Sequence, residues 1–234
     1  MRRGLQMPRT ARLVVPGLPH HVTQRGNRRQ QVFFRAEDYQ LYRRLFSEAC
    51  SSAGVAVWAY CLMPNHVHHI LVPPSEGSLA GAIKAAHQKY TWAINRRERW
   101  SGYLWQGRFA SAPMDGQHLL EAARYIELNP VRARLAVTPE AWTWSSAGAH
   151  LSGRTDGLAD PKPLLDLVPD WRAFLAAAME ADQFRCEIEK SEQALRAGWP
   201  QGSAAFVSNL ERRTGRLLKP QKPGRKPRPD VQDP

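Results

Sequence analysis

The feature that most constrains this chain is a short apolar stretch, residues 62–72, with the sequence LMPNHVHHILV. Its aliphatic and β-branched residues are bounded by prolines, which predicts a buried strand entered from a turn. Residues two apart project from the same face of a strand, so His66 and His68 are expected side by side and His69 on the opposite face. Two neutral imidazoles on one rigid element provide most of a divalent-metal site. The structural alternative, one core histidine and one exposed histidine, is equally consistent with the spacing.

The net charge indicates a polyanionic partner. The 234 residues carry a formal charge of +12, and the sequence pI is about 10.2. Nucleic acid is the simplest partner for a chain with this charge. The length of the chain fits one domain or one domain with an extension. Its three cysteines, Cys50, Cys61 and Cys186, follow no metal or redox pattern, which favours reduced thiols and a cytoplasmic location. No stretch approaches the roughly 18–20 apolar residues of a membrane span, so no membrane partner is expected.

A polar, basic loop, residues 25–31 with the sequence RGNRRQQ, follows a first predicted strand at 20–24. Gly26 and Asn27 tolerate positive φ, so backbone amides could turn outward beside the arginines and form a phosphate cradle. A solvated hairpin tip is an equally consistent interpretation. The loop is therefore a candidate DNA-binding element that the sequence alone does not decide.

The periodicity of the chain predicts an α+β fold. Strands are expected at 20–24, 55–61, 66–72 and within 102–114, and helices at 37–53, 79–97 and 118–128. This order is the ferredoxin-like, split βαβ arrangement, an antiparallel sheet with helices on one face. The third helix is expected to stop at Asn129, because the residue before a proline disfavours helical geometry.

The C-terminal third is expected to be a helical, basic extension. Glycine, proline and aspartate accumulate at 153–169, which is typical of a linker between a folded domain at 1–152 and a helical segment at 170–215. Residues 216–234 form a basic tail that is predicted to be disordered. In this tail the sequence KPGRKPR, which contains Arg225, resembles an AT-hook that places arginine along an A·T minor groove, although ordinary basic tails share this composition.

The third predicted helix offers two further site candidates, Tyr125 and Asn129. Positions four apart lie on one helical face. A tyrosine there could attack a phosphodiester while the asparagine oxygen completes a metal shell, and two imidazoles with a hard oxygen suit Mg²⁺ or Mn²⁺. From spacing alone, the simpler interpretation is that Tyr125 belongs to the buried stripe of the helix.

Three ordered motifs resemble those of the single-tyrosine HUH transposases: MPNHVH at 63–68, WQGRF at 105–109 and YIELNPVRA at 125–133. Within that family the chain is most similar to the REP-associated tyrosine transposases of bacteria. Their first strand and loop resemble VTQRGN at 22–27, and the resemblance covers roughly residues 8–150. It implies a ferredoxin-like nuclease domain that cleaves single-stranded DNA, with repeated palindromes that fold into hairpins as substrates.

The resemblance implies a role for each site candidate. His66 and His68 would bind Mg²⁺ or Mn²⁺, and Tyr125 would be the nucleophile that forms a covalent phosphotyrosine. Asn129 would be the third metal ligand, where the wider class often has the longer glutamine. The residues expected to bind DNA are Arg25, Asn27, Arg28, Arg108, Arg132 and, in the tail, Arg225.

The sequence is consistent with two different functions. The first is a metal-dependent tyrosine endonuclease and strand transferase that cleaves and rejoins hairpin-forming DNA in the nucleoid, as a monomer or homodimer and without a nucleotide cofactor. The alternative is a non-catalytic regulator or architectural protein that binds palindromes. Tyr90 and Tyr103 are rival nucleophiles, but neither is followed four residues later by a polar ligand-type residue. A metal hydrolase of small molecules leaves the charge of +12 unexplained.

Overall fold

A computed structural model describes residues 12–179, 195 and 197–218 of the chain. Four strands form one sheet in the order β2-β3-β1-β4, and each neighbouring pair is antiparallel. The strands are β1 (His20–Arg25), β2 (Ala56–Met63), β3 (His66–Val72) and β4 (Ala110–Pro113). A two-residue turn joins β2 to β3, so Met63 pairs directly with His66. The predicted α+β class with an antiparallel sheet is confirmed.

Seven α-helices surround this sheet in the described part of the chain. They are α1 (Ala36–Ser52), α2 (Ser78–Glu98), α3 (Gly116–Arg132), α4 (Ala147–Ser152), α5 (Lys162–Leu165), α6 (Trp171–Met179) and α7 (Ala204–Thr214). Of these, α1 and α2 share one face of the sheet, as predicted for the helices in general. The third long helix, α3, packs on the opposite face. The prediction that the helices lie on one face of the sheet holds for α1 and α2 but is wrong for α3.

The face covered by α1 and α2 holds the larger apolar core. The buried side of α1 presents Tyr39, Tyr42, Phe46 and Cys50, a helical spacing that places all four over the sheet. Alternate residues of β3 meet this core, because successive side chains of a strand point to opposite faces. The other residues of β3 therefore face α3.

Helix α3 begins as predicted and ends later than predicted. The Asp115 carboxylate caps its first turn by accepting the His118 amide at 3.1 Å. The expectation that Asn129 ends the helix is wrong, because α3 continues through Pro130 to Arg132. Proline removes one backbone donor, but Pro130 is itself buried against the core, and its carbonyl accepts the Leu135 amide at 2.8 Å. Packing of the apolar face thus outweighs the local preference.

The segments after α3 pack onto the sheet domain. In the predicted linker, Leu164 is fully buried, and the Asp160 amide donates to the Val57 carbonyl at 2.9 Å. Further along, Leu210 of α7 packs against Leu13 and Val15. The division into a 1–152 domain, a linker, an extension and a tail stays a prediction. Among the described residues, no helix combines the length and apolar character that crossing a membrane requires.

Candidate active site

Strand β3 places His66 and His68 on the face that α3 covers, as the alternation predicted. Their ring centroids are 5.0 Å apart and their planes are nearly perpendicular, at 82°. This separation is close to the roughly 5 Å expected for two imidazoles on one ion with metal–nitrogen bonds of about 2.1 Å. His68 is buried, whereas His66 is half-buried at the strand end.

Hydrogen bonds orient both imidazoles. His66 Nδ1 lies 2.6 Å from Asn65 Oδ1, an atom that can only accept, so Nδ1 carries the proton and Nε2 of the neutral ring carries a lone pair. His68 Nδ1 is bonded to His21, and its buried Nε2 has no hydrogen-bond partner among the described residues. Burial, together with the charges of neighbouring histidines, lowers the pKa of His68 well below its usual value. The ring is therefore neutral, the form that binds metal.

His21 is a site residue that sequence reasoning missed. Its Nε2 lies 3.0 Å from His68 Nδ1, and both rings are almost completely buried. A metal-binding histidine commonly uses its second nitrogen in such a bond, which fixes the ring orientation. His21 pairs with Ile70 across β1 and β3, so its reach to His68 is a diagonal one. The only indication in the sequence is that His21 and Arg25 project from the same face of the first strand. That indication leads to His68 only when the register of β1 against β3 is known.

Tyr125 is the tyrosine that the fold brings to these histidines. Its ring centroid lies 5.4 Å from that of His68, in an edge-on arrangement, and 6.3 Å from that of His21. Tyr90 lies in the core on the other face and donates its hydroxyl to the Val32 carbonyl at 2.6 Å. Tyr103 is 87% exposed. Of these three tyrosines, Tyr125 is therefore the one that lies beside His68.

Asn129 lies one helical turn after Tyr125 on the same face of α3. It is half-buried, and its Nδ2 has no hydrogen-bond partner in the part of the chain that the structure describes. Within that part, no group of three His, Cys, Asp or Glu side chains could hold a metal ion. A centre on His66 and His68 therefore requires a ligand of another type, and an amide oxygen is a suitable one. Two imidazoles and this amide form a donor set of the kind that fits a divalent cation.

A buried carboxylate, Glu127, anchors α3 from its other side. Glu127 Oε1 accepts from Ser146 Oγ and from His150 Nδ1, each at 2.6 Å, while Oε2 accepts from Trp171 Nε1 at 2.7 Å. Glu127 has no exposed surface, and a buried carboxylate is tolerable only when it is bonded in this way. The network ties α4 and α6 to the helix that carries Tyr125.

Basic residues gather in a cavity of about 360 Å³ beside His68. Arg25, Arg29 and Arg108 line it, together with Thr23, Gln24, Gln106, Ala110 and Leu195. Of the predicted DNA-binding residues, Arg25 and Arg108 are therefore next to the candidate site. Guanidinium groups bind phosphate oxygens through bidentate hydrogen bonds.

The loop after β1 differs from its predicted conformation. Gly26 has φ −61°, and positive φ occurs instead at Arg28 (53°) and Arg29 (62°). The amides of Gly26 and Asn27 both donate to backbone carbonyls at 2.8 Å, so the predicted phosphate cradle from these amides is wrong. Glycine is required at position 26 for another reason, since an added Cβ would lie 2.3 Å from a backbone oxygen of the same loop.

The other predicted DNA-binding residues that the structure describes do not line that cavity. Asn27 and Arg28 belong to the loop but do not line the cavity, and Arg28 is exposed. The Arg132 guanidinium, at the end of α3, lies 5.5 Å from the centroid of the Tyr125 ring. Arg225 falls outside the described residues.

Comparison with known proteins identifies a family and similar folds. The family described as "Transposase IS200 like" matches residues 14–129, a range that contains His66, His68, Tyr125 and Asn129. A solved REP-associated tyrosine transposase bound to a REP hairpin is similar in fold. It has a TM-score of 0.54 and 20% identity, covering 64% of this chain and 90% of that chain. A transposase candidate from Deinococcus radiodurans R1 has a TM-score of 0.38 and 22% identity, covering 51% and 95% of the two chains. No curated protein matches.

Proposed function

The chain belongs to the IS200-like transposase family through residues 14–129, and on that premise we propose that it is a metal-dependent tyrosine endonuclease and strand transferase. Its substrate would be single-stranded DNA that folds into hairpins. One observation carries the proposal: the Tyr125 ring lies against His68, whose Nε2 is buried and has no hydrogen-bond partner among the described residues.

The proposed step is a transesterification at phosphorus. The Tyr125 oxygen forms a bond to phosphorus while the bond from phosphorus to one deoxyribose oxygen breaks. The phenolic proton is lost to solvent or a nearby base, and the released deoxyribose oxygen takes up a proton. The phosphotyrosine bond keeps the energy of the broken bond, so a DNA hydroxyl can later attack it and rejoin the strand without a nucleotide cofactor.

The residues around Tyr125 would bind and orient the substrate. His66, His68 and the Asn129 amide oxygen would hold Mg²⁺ or Mn²⁺, which when bound polarises the phosphodiester and stabilises charge on the departing oxygen. Arg25 and Arg108 would bind phosphates that flank the cleaved bond, because both line the cavity beside His68. The positive charge of the whole chain would favour DNA encounter.

The hairpin preference is proposed from two sources. The motifs of the sequence resemble those of REP-associated tyrosine transposases, and a structure of similar fold was solved with a REP hairpin bound. A cytoplasmic, nucleoid-associated location and a monomeric or homodimeric state stay predictions.

Cleavage of labelled hairpin DNA on a denaturing gel tests the proposal. With Mg²⁺ or Mn²⁺, the wild-type protein is expected to cut the DNA and form a covalent adduct, and Tyr125→Phe is expected to abolish both. Tyr90→Phe is the matched control, since it removes a hydroxyl that is used inside the core, and it should leave cleavage unchanged. Cleavage that survives in Tyr125→Phe would disprove the assigned nucleophile. Tight hairpin binding without any cleavage would instead favour the palindrome-binding regulator.

A further inference from the structure

A second, larger cavity opens between α2 and the loop at residues 99–109, and we call it the aromatic groove. Its volume is about 620 Å³, within the roughly 300–1,000 Å³ of typical ligand sites. Its apolar lining comes from buried side chains of both walls, namely Ile83, His87, Leu104, Trp105 and Phe109. His87 stacks on Trp105 with their ring centroids 4.2 Å apart.

Two exposed aromatic side chains line this groove, one on each wall. Trp92 belongs to α2 and is 65% exposed, while Tyr103 belongs to the loop and is 87% exposed. The Arg96 guanidinium lies 5.3 Å from the Trp92 ring. Large aromatic faces left in water beside an apolar cleft mark a binding surface rather than ordinary surface composition.

The charge of the groove is positive. Arg12, Lys84 and Arg108 line it, and no carboxylate does so among the residues that the structure describes. Arg12 and Arg108 are neighbours: burial, followed by the charge of Arg108, lowers the pKa of Arg12. Arg12 also stacks on Phe109, with its guanidinium carbon 3.7 Å from the ring centroid. Like charges held together in this way complement an anionic ligand with flat apolar parts.

The aromatic groove adjoins the cavity beside His68. Gln24 and Arg108 line both cavities. The Gln24 amide bonds the Gln106 carbonyl at 3.0 Å, which fixes the loop that separates them. A DNA strand that passes from one cavity to the other at Gln24 and Arg108 would reach from the candidate site to Trp92 and Tyr103.

We propose that the aromatic groove binds unpaired bases of the DNA strand that is cleaved at Tyr125, in the single-stranded part next to the hairpin. The bases would stack on Trp92 and Tyr103 while Lys84, Arg12 and Arg108 bind the phosphates between them. Aromatic faces interleaved with cations suit unpaired nucleotides, because every base has a flat face and stacking does not depend on sequence. The inference rests on the proposed function and adds to it where the unpaired strand lies.

Two DNA substrates separate this groove from general DNA affinity. One is a hairpin with a single-stranded flank, and the other is the same hairpin without the flank, each labelled for fluorescence anisotropy. Trp92→Ala and Tyr103→Ala are expected to weaken binding of the flanked hairpin about 5- to 100-fold and to leave the unflanked hairpin within about twofold. Trp92→Phe keeps a stacking face and should restore most of the affinity.

Trp100→Ala is the matched control for loss of an exposed tryptophan. Trp100 is 47% exposed but contacts Phe34 outside the aromatic groove, so its loss should not change the affinity for either DNA. A 2-aminopurine base in the flank gives a direct readout, since stacking on Trp92 would quench its fluorescence in the wild type and not in Trp92→Ala. Melting temperatures of all variants check that each is folded.

Three results would overturn the inference. Equal weakening with both DNAs would show that the two aromatics contribute only general affinity, and unchanged binding would show that the groove takes no part. Tighter binding in either variant would show that a segment of the chain itself occupies the groove. If the wild type cleaves the flanked hairpin in any of these cases, the groove assignment alone fails. If it neither binds nor cleaves this DNA, the proposed function fails with it.

Discussion

The two faces of the sheet use histidine differently, and the consecutive residues His68 and His69 of β3 show how. Both are buried, and burial lowers the pKa of both. His68 faces α3, where it bonds His21 and lies beside Tyr125. His69 faces α1, where it stacks on Phe46 with centroids 4.2 Å apart. Residue type and burial are thus the same, and only the neighbours differ.

The comparison shows that the face of the strand on which a histidine lies decides whether it can take part in a reaction. On the α3 face, His68 has its partner His66 two residues away and a tyrosine in reach. On the α1 and α2 face, neither nitrogen of His69 has a hydrogen-bond partner among the described residues, and its surroundings are aromatic. An imidazole in such surroundings fills space in the core. The predictions below test this contrast, from the largest expected effect to the smallest.

The largest effect is expected from a pair of substitutions at these two positions. His68→Ala should lower the rate of hairpin cleavage by roughly 10³-fold or more, because a metal ligand is lost. His69→Leu should leave that rate within about twofold and raise the free energy of unfolding by about 1 kcal/mol, since an unpaired buried imidazole is replaced by an apolar group. Cleavage gels and urea denaturation measure the two quantities. Loss of cleavage in a folded His69→Leu protein would contradict the contrast.

A fall in pH is expected to lower the free energy of unfolding through two buried histidines on the face that α1 and α2 cover. Burial lowers the pKa of His87 to about 3, and burial, partly opposed by a bond to the Leu18 carbonyl, lowers that of His20 to about 4. Both values lie below the unfolded value of about 6.5, so the unfolded chain binds more protons in acid. Stability is therefore fully present above pH 6.5 and is lost as the pH falls towards the folded values. Between pH 7 and 5, the free energy of unfolding should fall by about 4 kcal/mol from these two residues.

Denaturation in urea at both pH values, with EDTA present, measures this loss. His87→Leu is the informative variant. It removes the bond to Tyr42 and so lowers stability at pH 7, but its loss between pH 7 and 5 should be smaller than that of the wild type by about 2 kcal/mol. An unchanged pH dependence in this variant would show that His87 is not a buried neutral histidine.

A smaller effect is expected from substitution of His21, because this residue acts on the candidate metal site only through His68. His21→Leu removes the bond to His68 Nδ1, so Mn²⁺ binding should weaken about 10- to 100-fold, as when other outer-shell partners of metal ligands are lost. Isothermal titration with Mn²⁺ measures the affinity, and hairpin binding in EDTA should stay unchanged. Equal Mn²⁺ affinity in the variant and the wild type would contradict the positioning role of His21.

The local patterns of the sequence predicted which residues of the candidate site lie side by side within one element. The pairing of His66 with His68 follows from the two-residue period of a strand, and that of Tyr125 with Asn129 from the turn of a helix. These relations hold within one element, so they do not depend on the rest of the fold. The order of elements likewise predicted an antiparallel α+β domain, which the structure confirms.

Only the tertiary structure decided which elements meet. That α3 covers the His68 face, that His21 reaches His68 diagonally, and that the 99–109 loop forms a groove with α2 all depend on contacts between distant parts of the chain. The end of α3 beyond Pro130 and the geometry at Gly26 were set in the same way, by packing and by close backbone approach. A periodic pattern states which side of an element is buried, but the partner on that side is selected by the free energy of the whole packed domain.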